Sequence, residues 1–87
     1  MNLHGLPTYR CHKQVRAVQI RRIDVRQQAY DALLIPEGGY APIPVSLEFM
    51  EKHRPHVGGY LVVYDDGYLS FSPAGPFEAG HTLIERA

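Results

Sequence analysis

The clearest alternation of apolar and polar positions runs from Gly58 to Pro73, GGYLVVYDDGYLSFSP. Two short runs rich in Tyr, Val, Leu and Phe flank Asp65-Asp66-Gly67, the pattern of a β-hairpin. Loop length decides which side chains share a face, because side chains alternate along a strand. A two-residue loop of Asp66-Gly67 leaves both faces mixed, with Tyr60, Val62, Tyr64, Leu69 and Phe71 on one of them. A three-residue loop, with Gly67 in a left-handed bulge position, collects Leu61, Val63, Leu69 and Phe71 into one apolar face. The opposite face then holds Tyr60, Val62, Tyr64, Tyr68, Ser70 and Ser72. Only the second register sorts the two chemistries, so a bulged hairpin is predicted.

Further elements follow the same logic. Lys13 to Val25, KQVRAVQIRRIDV, predicts a strand whose parity slips between Val18/Ile20 and Ile23/Val25, and a bulge near Arg21-Arg22 reconciles the two. Gln27 to Ile35 suits a strand or a short helix; the strand is favoured because Pro36-Glu37-Gly38-Gly39 follows as a turn. Tyr40 to Val45, with two prolines, must be extended, at a sheet edge or outside a sheet. Ser46 predicts the N-cap of a short helix from Leu47 to about His53, stopped by Arg54-Pro55. Val45 and Met50 take the two positions of a hydrophobic staple, and Leu47, Phe49 and Met50 are expected to anchor the helix in the core. After Pro73, turn signals, an anchoring Phe77 and a last strand around Thr82 to Ile84 complete the chain. The sum is α+β, mostly β: a single domain over 1–87, built as a small SH3-like or partly open barrel of four to five antiparallel strands with one short helix over about 47–53.

At 87 residues the chain is near the size where one core is barely sufficient, and its 45% hydrophobic content argues for a folded globule. Cys11 is the only cysteine, which excludes an intrachain disulfide and suits a reducing compartment. No window approaches the roughly 18 apolar residues of a membrane span, and the first residues lack a secretory h-region. A soluble cytoplasmic protein is expected. Net charge is zero but unevenly spread: residues 1–26 carry six cations against Asp24, and the remainder three cations against eight acids. The halves can pair across the fold, or they can leave a basic strip exposed to an anion.

Catalytic machinery is not visible. His53 and His56 have H-x-x-H spacing, but Arg54-Pro55 breaks the helix that would aim both at one ion. Cys11 and His12 are adjacent and point to opposite faces of an extended strand, so they form no dyad by themselves. Asp65 and Asp66 form a turn. No phosphate loop, dinucleotide fingerprint or nucleophile elbow occurs, and no metal or cofactor is expected. Binding is better supported. Tyr60, Tyr64 and Tyr68 offer stacking faces, Ser70 and Ser72 offer hydrogen bonds, and Arg10, His12, Lys13 and Arg16 could neutralise an anion. The same tyrosines could equally form a subunit seam or pack beneath the helix.

His53 to Ile84, HRPHVGGYLVVYDDGYLSFSPAGPFEAGHTLI, resembles a group of small proteins encoded by tailed bacteriophages and prophages. They share an H-K/R-P-x-V-G-G-Y-x-V-x-Y-x-D-G-Y-x-S-F-S-P segment and an F-E-x-G-Y/H-T ending, and Tyr9 to Ala17, YRCHKQVRA, is similar to their N-terminal strand. The group hands over no catalytic residues. The resemblance implies a phage accessory factor acting in the host cytoplasm. The leading expectation is therefore a non-catalytic, self-associating, counter-defence protein that sequesters a host-derived target, such as an anionic nucleotide signal, at an oligomer surface. One alternative is an inhibitor that grips a host protein with the Tyr/Ser hairpin face. Another is a minor virion component or a nucleic-acid-associated protein, although zero net charge speaks against nucleic acid. No membrane partner is expected.

Overall fold

The run richest in Val, Ile and Arg forms the longest strand, and the other elements are arranged around it. The computed structural model describes residues 3–10, 14–26 and 31–85, without the side chains of His4, Arg10, Arg26 and Glu85. In chain order the elements are β1 (Thr8–Arg10), β2 (Gln14–Arg26), β3 (Asp31–Pro36), β4 (Ile43–Val45), α1 (Leu47–His53), β5 (Tyr60–Val63), β6 (Leu69–Ser72), α2 (Ala74–Gly80) and β7 (Thr82–Glu85). Single 3-10 turns lie at Leu3–Gly5 and Glu37–Gly39.

All pairings are antiparallel. The first half of β2 pairs β1, with Tyr9 opposite Val15, and β5, with Val18 opposite Leu61. Its second half pairs β3, with Ile23 opposite Leu34. β7 extends β1, β6 extends β5 and β4 extends β3. One sheet therefore runs β7-β1-β2-β5-β6, a second runs β2-β3-β4, and β2 belongs to both. The register slips between Ile20 and Arg22, where the parity change predicts a bulge. Ile20 stays bonded toward the start of β5: its N–H donates to the Gly59 carbonyl (2.8 Å) and its carbonyl accepts from Gly58 (2.9 Å). Beyond the slip, Ile23 packs against the core while Val25, near the end of the β2–β3 ribbon, is exposed.

The architecture is the expected small, mostly β, partly open barrel, with more elements than anticipated. Seven strands and two helices occur among the described residues, against four to five strands and one helix. The strand at Asp31–Pro36 agrees with the favoured reading of its segment; Gln27 to Tyr30 lie outside the described residues, as do Cys11, His12 and Lys13. α2 stands where the turn signals of AGPFEAG, two glycines and a proline among seven residues, predict turns. Its Pro76 falls in the first turn, where a missing N–H costs no helical hydrogen bond.

Two buried clusters lie on opposite sides of the larger sheet. Val18, Ile20, Leu34, Ile43, Val45, Phe49, Leu61 and Val63 fill the barrel. Val15, Ala17, Tyr60, Val62 and Phe77 lie on the outer side, under α2. α1 starts as predicted, with Ser46 Oγ accepting from the Phe49 N–H (3.1 Å) and Val45 and Met50 both packed on the core. It ends with Arg54 in the left-handed region (φ 46°), whose N–H donates to the Met50 carbonyl (2.9 Å). Of its three expected anchors, Phe49 and Met50 pack on the core, while Leu47 is 47% exposed. The hairpin follows the bulged register, with Leu61 opposite Phe71, Val62 opposite Ser70 and Gly67 at φ 89°.

Gly59 shows how closely the loop before β5 packs. A Cβ there would sit 2.3 Å from the Phe71 ring and 3.1 Å from the Ser72 carbonyl. Gly75, in α2, has open space around it. Gly59→Ala should destabilise the fold by about 2–3 kcal/mol through overpacking, whereas Gly75→Ala should be neutral or stabilising by up to about 1 kcal/mol. Urea unfolding of the two variants beside the native chain measures both.

Candidate functional site

The Tyr/Ser face of the hairpin divides into a buried end and an open end. At the buried end, Tyr60 is 6% exposed and lies beneath α2. Its ring stacks on Phe77 at 4.2 Å between centroids and 20° between planes. Phe77 in turn stacks on His81 at 4.0 Å and 8°, and Tyr9 meets both Tyr60 and Phe77 edge-on. The Tyr60 hydroxyl donates to Glu78 Oε2 at 2.7 Å. Burial, and secondly that bond, push the phenol far above its ordinary range, so it keeps its proton and stays a donor. His81 Nδ1 lies 2.9 Å from the Phe77 carbonyl, which can only accept, so this nitrogen carries the proton. Of the three places open to the tyrosines, Tyr60 takes the packed one, although the helix above it is α2 rather than α1.

At the open end, Tyr64 and Tyr68 close the hairpin: the Tyr64 N–H donates to the Tyr68 carbonyl (3.0 Å) and the Gly67 N–H to the Tyr64 carbonyl (2.9 Å). Their rings lie 6.1 Å apart. Asp66 accepts from the Tyr68 N–H at 2.9 Å, an Asx turn, in keeping with a turn-forming carboxylate. Tyr68 is 46% exposed and accepts a hydrogen bond from Lys52 Nζ at 2.9 Å. Lys52 stands three residues after the core anchor Phe49, so both face the hairpin. That spacing on α1 is the sequence signal for Lys52, which lies outside the N-terminal basic excess.

Of the predicted cations, Arg16 shares a groove with Tyr64. It sits opposite Val63, and its Nη1 donates to Thr8 Oγ1 (3.2 Å) and, at 3.5 Å, to the Leu6 carbonyl. A groove at the tip is lined by Leu3, Arg16, Val63, Tyr64, Asp65, Asp66 and Gly67. It meets a second, lined by Gln14, Tyr64, Asp65, Asp66 and Tyr68. Among the described side chains, two carboxylates stand here against one guanidinium, which by themselves make a poor cradle for an anion. Arg10 lies in β1 with its side chain outside the described ones, and His12 and Lys13 lie outside the described residues altogether. Ser70 and Ser72 are half-buried along β6, Ser72 donating to the Pro73 carbonyl at 3.3 Å. Among the described residues no three His, Cys, Asp or Glu side chains converge on a metal position, and no helix is long and apolar enough to cross a membrane.

A third groove separates β4 from β6, lined by Pro44, Val45, Ser46, Glu48, Phe49, Lys52, His53, Tyr68 and Leu69. His53 packs on Phe49 at 4.6 Å and meets Tyr68 edge-on at 6.2 Å. Partial burial, then the neighbouring Lys52 charge, hold the imidazole below its ordinary value of 6.5.

No protein-family model matches the chain, and no curated protein does. Among solved structures it is similar to the monomeric form of the phage L decoration protein, determined in solution by NMR. The two share 29% sequence identity and superpose with a TM-score of 0.69 over 90% of this chain. The match spans 59% of the length of that protein, so the chain accounts for less than two thirds of it.

Two measurements check this surface. Tyr60→Phe should lower stability by about 1 kcal/mol and Phe77→Ala by about 3–5 kcal/mol, read by urea unfolding. His53 binds its proton later in the folded than in the unfolded chain, so its contribution is complete above pH 6.5 and declines as pH falls below that value. Between about pH 7 and about pH 5, the urea midpoint of His53→Gln should therefore fall less than that of the native chain.

Proposed function

We propose that this chain is a phage-encoded virion component that binds the assembled capsid as a decoration protein. The observation that carries the reading is the likeness to the phage L decoration protein across nine-tenths of the chain, at 29% identity. The resemblance of His53 to Ile84 to small tailed-phage proteins points to the same setting. The virion reading, an alternative at the level of sequence, thus takes precedence over sequestration of a host nucleotide.

In this reading the function is adhesion, with no bond made or broken. Tyr64 and Tyr68, flanked by Arg16 and Lys52, present amphipathic side chains at one end of the molecule. Aromatic residues and arginine are the types that dominate protein interfaces, because they bury area at low entropic cost. Tyr60 serves by holding α2 in place, and Ser70 and Ser72 line the neighbouring strand. The chain is made in the host cytoplasm and leaves it with the particle.

Mass spectrometry of gradient-purified particles of the encoding phage, and co-sedimentation of the purified chain with assembled heads, test this. The chain should appear in the particles and sediment with heads, saturably. Absence from the particles, together with failure to sediment with heads, would overturn the proposal.

A further inference from the structure

The barrel is open because its two facing edges do not bond to each other. β4 pairs with β3 alone and β6 with β5 alone, and the groove between them is lined by residues of both. Antiparallel pairs alternate between bonded and non-bonded positions, which settles what each edge offers. In β6, Tyr68 is a bonded partner of Tyr64, so Ser70 and Ser72 also bond to β5. Leu69, which lines the groove, and Phe71 after it therefore turn their N–H and C=O groups away from β5. In β4, Pro44 faces Leu33 and has no N–H, so the bonded pairs are Ile43 with Leu34 and Val45 with Ala32. Outward, β4 offers the Pro44 carbonyl and no donor. The seam is thus asymmetric: a complete donor–acceptor edge on β6 faces an edge that cannot donate.

The rim adds a charge. Lys52 donates to the Tyr68 hydroxyl and lies 5.4 Å from that ring's centroid, and no carboxylate among the described residues stands within ion-pair distance of it. Phe49, Leu69 and the Tyr68 ring supply apolar surface below.

We propose that this seam is a strand-acceptor site: an extended segment of the capsid subunit pairs with β6 at Leu69 and Phe71, and an acidic side chain on that segment meets Lys52. Strand addition of this kind takes affinity from main-chain hydrogen bonds and selectivity from the flanking side chains. The occupant suits the unpaired edge of β6 and Lys52, which has no ion-pair partner among the described residues although Glu48 lines the same groove. It rests on the decoration reading above and names the element through which the chain would grip the head. Docking would continue the larger sheet beyond β6 and cover the gap at Phe49 and Leu69.

Backbone chemistry gives the decisive probe. Total synthesis of the 87-residue chain with N-methyl-Leu69 removes one outward N–H and crowds the seam without touching the β5–β6 ladder. Circular dichroism and thermal unfolding should match the native chain, while affinity for assembled heads should fall about tenfold or more. Lys52→Glu should weaken binding as well. Amide exchange should slow at Leu69 and Phe71 when heads are added. If native and N-methylated chains bind heads equally, the strand-acceptor proposal is wrong and the decoration reading survives. If the native chain does not bind heads, both fall. If N-methylation changes self-association in light scattering but leaves head binding intact, the occupant is a second copy and the proposal is overturned.

Discussion

The fold depends on one strand satisfying three neighbours. β2 supplies hydrogen bonds to β1, β5 and β3 within thirteen residues, and it can do so because its register slips between Ile20 and Arg22. Without the slip, strict alternation would turn Ile23 away from the cluster that Val18 and Ile20 join. The slip also re-aims the chain, so that β3 and β4 form a second wall around Phe49 instead of continuing the first sheet. Gly58 and Gly59 hold the hinge from the other side, through their paired bonds to Ile20.

That arrangement gives the segment from His56 to His81 a structural meaning. Gly59 admits the Phe71 ring, and His56 meets that ring edge-on at 4.9 Å. Tyr60 bonds to Glu78 and stacks on Phe77, and His81 caps the stack. Gly58, Gly59, Tyr60, Phe77, Glu78 and His81 are thus engaged in closing the loop before β5 and fastening α2. At position 81 the flat imidazole lies face to face with the Phe77 ring. Such residues mark a fold more directly than a ligand.

The parts legible in the sequence were those governed by local rules. The hairpin register followed from sorting side chains over a three-residue loop, the bulge from a change of parity, and the α1 start from Ser46. The parts that were not legible depend on distant contacts. α2 has seven residues, two of them glycine, and its stability comes from Phe77 docking on Tyr60 rather than from propensity. Whether Tyr60 faced solvent or a covering layer therefore hinged on a helix that pattern does not announce. The meeting of Arg16 with Tyr64 similarly required the pairing of Arg16 with Val63, 47 positions apart in sequence numbering. β1, only three residues long, carries too little alternation to be read as a strand of its own.

Pro44 bears on solubility as much as on architecture. Open β edges invite copies of a chain to stack into fibres, a hazard that grows with concentration. The β4 edge can accept but cannot donate, so it is a poor template for a growing stack. A single imino acid therefore blunts one bank of the opening against stacking while the barrel stays unclosed.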